Sequence, residues 1–128
     1  MYKNLTITAL LGFIAIALGA FGAHALREQL SVEAMQSFET AVRYQMYHVL
    51  VLLILNMYEG FSEKIKRVLT VIFTIGILFF SGSIYLIHLF SVSAKSIWFI
   101  TPLGGVLFII GWAMLVYLFS YKEKNVLK

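Results

Sequence analysis

Two features of this sequence could do more than pack: its histidines, and one polar run that ends on the second of them. Neutral imidazole can ligate a transition metal, hold a haem iron or hydrogen-bond a quinone head group, and the chain carries His24, His48 and His88. The run is Phe38-Glu39-Thr40-Ala41-Val42-Arg43-Tyr44-Gln45-Met46-Tyr47-His48. On a helix, Glu39 with Arg43, Arg43 with Tyr47, and Tyr44 with His48 stand at i,i+4, so two neighbouring polar ridges run along it. Arg43 would meet an anionic group there, with Tyr44, Tyr47 and His48 framing it. The candidate ligand contacts are therefore His24, Arg43, Tyr44, Tyr47 and His48. The structural alternative is that the ridges dock this segment onto the outer ends of its neighbours, because polar groups left unpaired near lipid cost more than paired ones.

Catalysis asks for a nucleophile, a base and an orienting acid within mutual reach. The sequence has no aspartate, no cysteine, no histidine pair at i,i+4 and no phosphate-cradling glycine loop. The reading therefore expects no enzyme, no catalytic residues, no metal centre and no resident cofactor. Without cysteine there is no disulfide or thiol redox chemistry either.

The elements that must position these residues follow from composition. Of the 128 residues, 61% are hydrophobic and 12% charged, and the mean hydropathy is +0.90. A soluble domain carries about 25% charged residues; here the apolar surplus must face lipid. The net charge of +4 does not indicate nucleic acid, because the lysines cluster in short loops rather than along an aromatic-lined stripe.

About 20 apolar residues cross a hydrocarbon core of roughly 30 Å. The sequence thus predicts an all-α, polytopic membrane protein in one membrane domain, with four transmembrane helices over about 5–23, 44–59, 68–90 and 97–120. The second uncharged stretch, Tyr44 to Tyr58, is short. Upstream of it Val32, Met35, Phe38, Val42 and Met46 recur at spacings of three and four, opposite Glu33, Gln36, Glu39 and Arg43. This predicts an interfacial amphipathic helix over about 32–43 that bends or runs straight into the second span. Ser31 is its expected N-cap and Glu33 suits the helix dipole. Lys3 before an apolar run ending in Ala23-His24-Ala25 resembles a cleavable signal, but the run is longer than an ordinary signal core, so a retained helix is expected.

Lys3, Lys64, Lys66, Arg67, Lys122, Lys124 and Lys128 fall on one side of this topology, against Arg27, Arg43 and Lys95 on the other. The positive-inside rule puts both termini in the cytoplasm of a cell, inner or plasma, membrane. All three histidines are then expected in the outer half, His48 about one turn into its span. Within the spans, Gly19, Gly22, Gly82, Gly104, Gly105 and Gly111 are expected to let helix backbones approach closely, with Ala15, Gly19 and Ala23 forming a small-xxx-small face. Thr101-Pro102 should end a first turn or kink the fourth helix.

Four segments together carry a resemblance: Leu18-Gly19-Ala20-Phe21-Gly22-Ala23-His24; Tyr44-Gln45 with His48; Phe80-Ser81-Gly82-Ser83-Ile84-Tyr85; and Trp98-Phe99-Ile100-Thr101-Pro102-Leu103-Gly104-Gly105 with Gly111-Trp112. In this order they resemble the YwdK/YgdD-like family of small membrane proteins (domain of unknown function 423), related to transmembrane protein 256 of animals. The resemblance implies a four-helix inner or plasma membrane protein and brings no established activity. His24 and His48 match its pattern; His88 and the Glu39/Arg43 pair lie outside it.

Three functions compete. The first is a non-enzymatic membrane protein acting through helix, lipid or partner contacts, as a homo-oligomer or within a larger membrane complex. The second is a ligand-, quinone- or haem-associated subunit using His24 and His48. The third is a small dimeric transporter or channel, which is disfavoured because every glutamate falls in a loop, a terminus or the amphipathic segment. The first is the reading adopted.

Overall fold

The computed structural model describes residues 2–126, and the side chains of residues 2–121. Four α-helices follow one another: α1 (Tyr2–Phe21), α2 (Val32–Met57), α3 (Glu63–Leu89) and α4 (Ile100–Val126), with a π-helical turn, Gly22–Leu26, closing α1. Among the described residues there is no strand. Three stretches, Tyr2–Leu26, Glu63–Leu89 and Ile100–Tyr121, are long and apolar enough to cross a membrane, and α2 does not join them.

The Ser31 cap is as expected, and Ser62 caps α3 in the same way. Ser31 Oγ accepts the Ala34 N–H at 3.1 Å, and Ser62 Oγ accepts the Ile65 N–H at 3.4 Å, with Glu33 and Glu63 in the first turns. Pro102 falls in the first turn of α4, where its missing N–H costs nothing and no kink results. α3 ends where Ser91 adopts φ 54° and the Val92 N–H returns to the Leu86 carbonyl at 3.2 Å.

Consecutive helices pack antiparallel, each on the next, and glycines set the spacing. On α1, Gly12 faces Val49 and Gly19 faces Val42, while a Cβ at Gly22 would run into the Phe38 ring. Ala15 on the same face is fully buried. Between α3 and α4, a Cβ at Gly104 would strike the backbone of Phe80, and one at Gly111 or Gly76 the rings of Phe73 and Phe108. Gly105 stands 4.0 Å from Phe80. The expectation for Gly82 is corrected: nothing lies within 4 Å of its Cβ position, and it borders a small void of about 120 Å³ beside Leu11 and Ile77. Gly82 turns its open side between α1 and α3, which do not close on each other there. The core is Leu52, Leu69, Phe73, Ile77, Val49 and Phe108.

The 26-residue α2 is continuous from Val32 to Met57, so the amphipathic segment and the second apolar stretch form one helix. Its register puts His48 level with Gly12 on α1 and with Gly76 and Phe108 on its other neighbours. His48 is therefore near mid-length of the helices, deeper than the single turn expected from charge-free residues. The physical reason is that α2 already pairs with its neighbours along its charged half.

Candidate functional site

His48 is buried, at 4% exposure. Its imidazole lies flat on the Phe108 ring, centroids 3.6 Å apart and planes 2° from parallel, with Phe73 at 5.6 Å. Trp112 Nε1–H donates to His48 Nε2 at 3.3 Å, so Nε2 is the acceptor and the proton sits on Nδ1. That Nδ1–H donates to the Tyr44 carbonyl at 2.7 Å. Both ring nitrogens are thus engaged within the chain. Ligation of a metal or haem by His48 would have to displace Trp112 first.

Tyr44, Tyr47 and His48 border a groove between α2 and α4 of about 610 Å³, walled by Phe80, Phe108 and Trp112 and opened by Pro102 and Gly105. The Tyr44 and Tyr47 rings lean together at 5.8 Å and are 40% and 52% exposed; among the described residues neither hydroxyl bonds to the chain. What the groove offers is aromatic surface and two hydroxyls to an apolar molecule entering from the side.

Arg43 does not join that groove. It borders a different hollow, of about 280 Å³, with Gly19, Ala23, Phe38 and Glu39 on the α1 side. His24 is exposed on the π-turn, and the helix register sets it roughly 20 Å along the axis from His48, as it does His88. His24 and His48 therefore cannot share one small ligand. Among the described residues no three metal-ligating side chains gather. Nor do the charged ridges dock α2. Glu39 and Arg43 stay exposed and are not paired with each other; the ion pair among the described residues is Lys66 to Glu63, at 3.4 Å.

Docking is done instead by neutral polar groups. Gln45, 2% exposed, donates from Nε2 to the Leu11 carbonyl at 2.8 Å and accepts the Tyr85 hydroxyl on Oε1 at 2.7 Å, tying α1, α2 and α3 together. Ser81 donates to the Ala41 carbonyl at 2.6 Å, and the Ser83 and Thr101 hydroxyls hydrogen-bond between α3 and α4. Toward the other end, Asn4 donates to Asn56 Oδ1 at 2.9 Å, and Asn56 Nδ2 donates to Thr70 and to the Leu52 carbonyl. Lys66 Nζ reaches the Asn56 carbonyl at 3.4 Å. No buried side-chain nitrogen or oxygen among the described residues is left without a partner. Sequence reasoning passed over Asn4, Asn56, Thr70, Tyr85 and Trp112 as sites. The available signal was a polar residue inside an apolar run, which in lipid demands a partner.

The family model described as "Protein of unknown function (DUF423)" matches residues 18–105. That stretch holds Gly22, His48, Gln45, Ser81, Tyr85 and Gly104 and stops short of Phe108 and Trp112. The chain is 42% identical over 102 residues to a UPF0382 membrane protein of Haemophilus influenzae, covering 80% of this chain and 81% of that one. It is 43% identical over 96 residues to a UPF0382 membrane protein of Staphylococcus epidermidis, covering 75% and 77%. Over 108 residues it is 37% identical to the UPF0382 inner membrane protein YgdD of Escherichia coli, covering 78% and 76%. No solved structure matches it.

Proposed function

The chain belongs to the DUF423 family of membrane proteins, and on that premise we propose that it crosses the inner membrane four times, keeps both termini in the cytoplasm, and works without catalysis through contacts its helices make inside the bilayer. One observation carries this reading: α2 exposes Glu39 and Arg43 at a depth where its neighbours are apolar. Gly19 faces Val42 and Gly22 faces Phe38 on one side, while Ala41 bonds Ser81 on the other. This sets Arg43 about 15 Å and Glu39 about 9 Å inward from the end of α3 at Leu89, at 1.5 Å per residue.

A helix flanked on both sides by spanning neighbours has no route out of the membrane, so α2 is read as the fourth span despite its charges. An arginine at a span's centre costs on the order of 3 kcal/mol on insertion scales. Among the described residues every buried side-chain polar atom has a partner, whereas the two charges on this face form no ion pair. A headgroup, a protein or another copy must meet this face. Lys3, Lys64 and Arg67 gather at the opposite end, which supports cytoplasmic termini. Glu39 points outward rather than into the helix interior, which does not support a proton or cation path through the chain.

The α2–α4 groove favours a second reading, an apolar ring-bearing ligand held by Tyr44, Tyr47 and the aromatic walls. Native mass spectrometry of the gently extracted protein, with an absorption spectrum of the same sample, separates the two. Copies, lipids or proteins retained on the chain support the contact reading. Bare chains carrying a chromophore that is lost on His48→Ala overturn it in favour of the groove.

A further inference from the structure

Glu39 and Arg43 carry opposite charges one helical turn apart on the same exposed face of α2, and among the described residues neither takes part in an ion pair. Such a face is complementary to itself. We propose that it is the contact between two copies of this chain, related by a two-fold axis along the bilayer normal. The inference rests on α2 lying in the membrane. Both copies then keep the same orientation and depth, and their α2 helices run side by side. Arg43 of each copy reaches back toward the headgroups across about 6 Å of helix rise to Glu39 of the other, forming two equivalent ion pairs as an isologous interface requires.

The rest of the face fits such a seam. Gln36, Thr40, Arg43, Tyr47, Leu50 and Ile54 recur at alternating spacings of four and three, which is the 3.5-residue repeat of paired helices. Tyr47, Leu50 and Ile54 are 52%, 50% and 70% exposed, so the stripe is uncovered from its polar half into its apolar half. An intrachain Glu39–Arg43 pair would satisfy the charges but leave this stripe unexplained. An anionic headgroup would satisfy Arg43 and repel Glu39.

The absence of cysteine from the sequence permits a direct test in native membranes. Thr40→Cys on the seam should cross-link to a dimer on oxidation, and Leu78→Cys on α3 should not. Glu39→Arg and Arg43→Glu, each added to Thr40→Cys, should each lower the dimer yield about tenfold. Co-expressed with different tags, these two variants should recover the yield as the mixed dimer, because only that pairing restores both ion pairs across the interface. Recovery also shows that both variants fold.

Equal cross-linking of each variant alone, loss without recovery in the mixture, or a dimer formed through Leu78→Cys but not Thr40→Cys would overturn the proposal. A Thr40→Cys adduct to a different protein would overturn it while leaving the contact reading standing. Rapid labelling of Thr40→Cys by a water-soluble maleimide would overturn both, since α2 would then lie outside the bilayer.

Discussion

Trp112 and His48 meet as donor and acceptor in the middle of the helix assembly, the indole N–H directed at Nε2, and this contact fixes the imidazole tautomer. With Phe108 stacked on the same ring, His48 behaves as a polar peg joining α2 to α4. His48→Ala removes the stack and leaves the Trp112 donor unpaired, and should destabilise the protein by about 2–4 kcal/mol. Trp112→Phe, which removes only the hydrogen bond and part of the ring, should cost about 1 kcal/mol. Reversible unfolding in mixed micelles, followed by circular dichroism, measures both. Equal costs would mean that the hydrogen bond, rather than the stack, holds the peg.

Gly104 and Gly82 should respond oppositely to the same substitution. A methyl at Gly104 meets the Phe80 backbone, which has no rotamer to move aside. Gly104→Ala should therefore cost about 1–3 kcal/mol by analogy with overpacked cores. At Gly82 the Cβ position is open, and Ala gains helix propensity of up to about 1 kcal/mol. The same unfolding assay should show Gly82→Ala unchanged or slightly stabilised.

Gln45 and Tyr85 should be energetically coupled. Gln45→Leu leaves the Tyr85 hydroxyl unpaired and removes the second bond to the Leu11 carbonyl, an expected loss of about 1–3 kcal/mol. Adding Tyr85→Phe removes one stranded group, so the double variant should be more stable than the sum of the two singles predicts. Strict additivity would mean that the 2.7 Å bond contributes nothing.

Cysteines at Ser62 and Ser93 sit in loops at opposite ends of the assembly. Under the proposed topology Ser62→Cys reacts with a membrane-impermeant maleimide only after the cells are opened, and Ser93→Cys reacts in intact cells. The reverse pattern would invert the orientation.

Helix content, three helices long and apolar enough to cross a membrane, the Ser31 cap and the family were legible in the sequence, because they depend on local quantities: runs of apolar residues, Ser followed by Glu, and motifs in order. The glycine faces were legible too, through small residues at helical spacing. The chemistry was less so. His48 was singled out as a candidate ligand contact, and its depth was misread because charge-free length stood in for span length. Gly82 was counted with the packing glycines because it carries the same residue signal as Gly104.

The sequence by itself determined that this chain is helical, is built for lipid and belongs to a membrane family, since hydropathy and periodicity act residue by residue. Only the tertiary structure decided which polar groups are spent and which are spare. Helix register brings Gln45 to Tyr85 and Trp112 to His48 across 40 and 64 residues of chain, and the same register leaves Glu39 and Arg43 facing outward. Partnership between side chains on different helices depends on relative rotation and depth. Those are set by how all the faces pack at once.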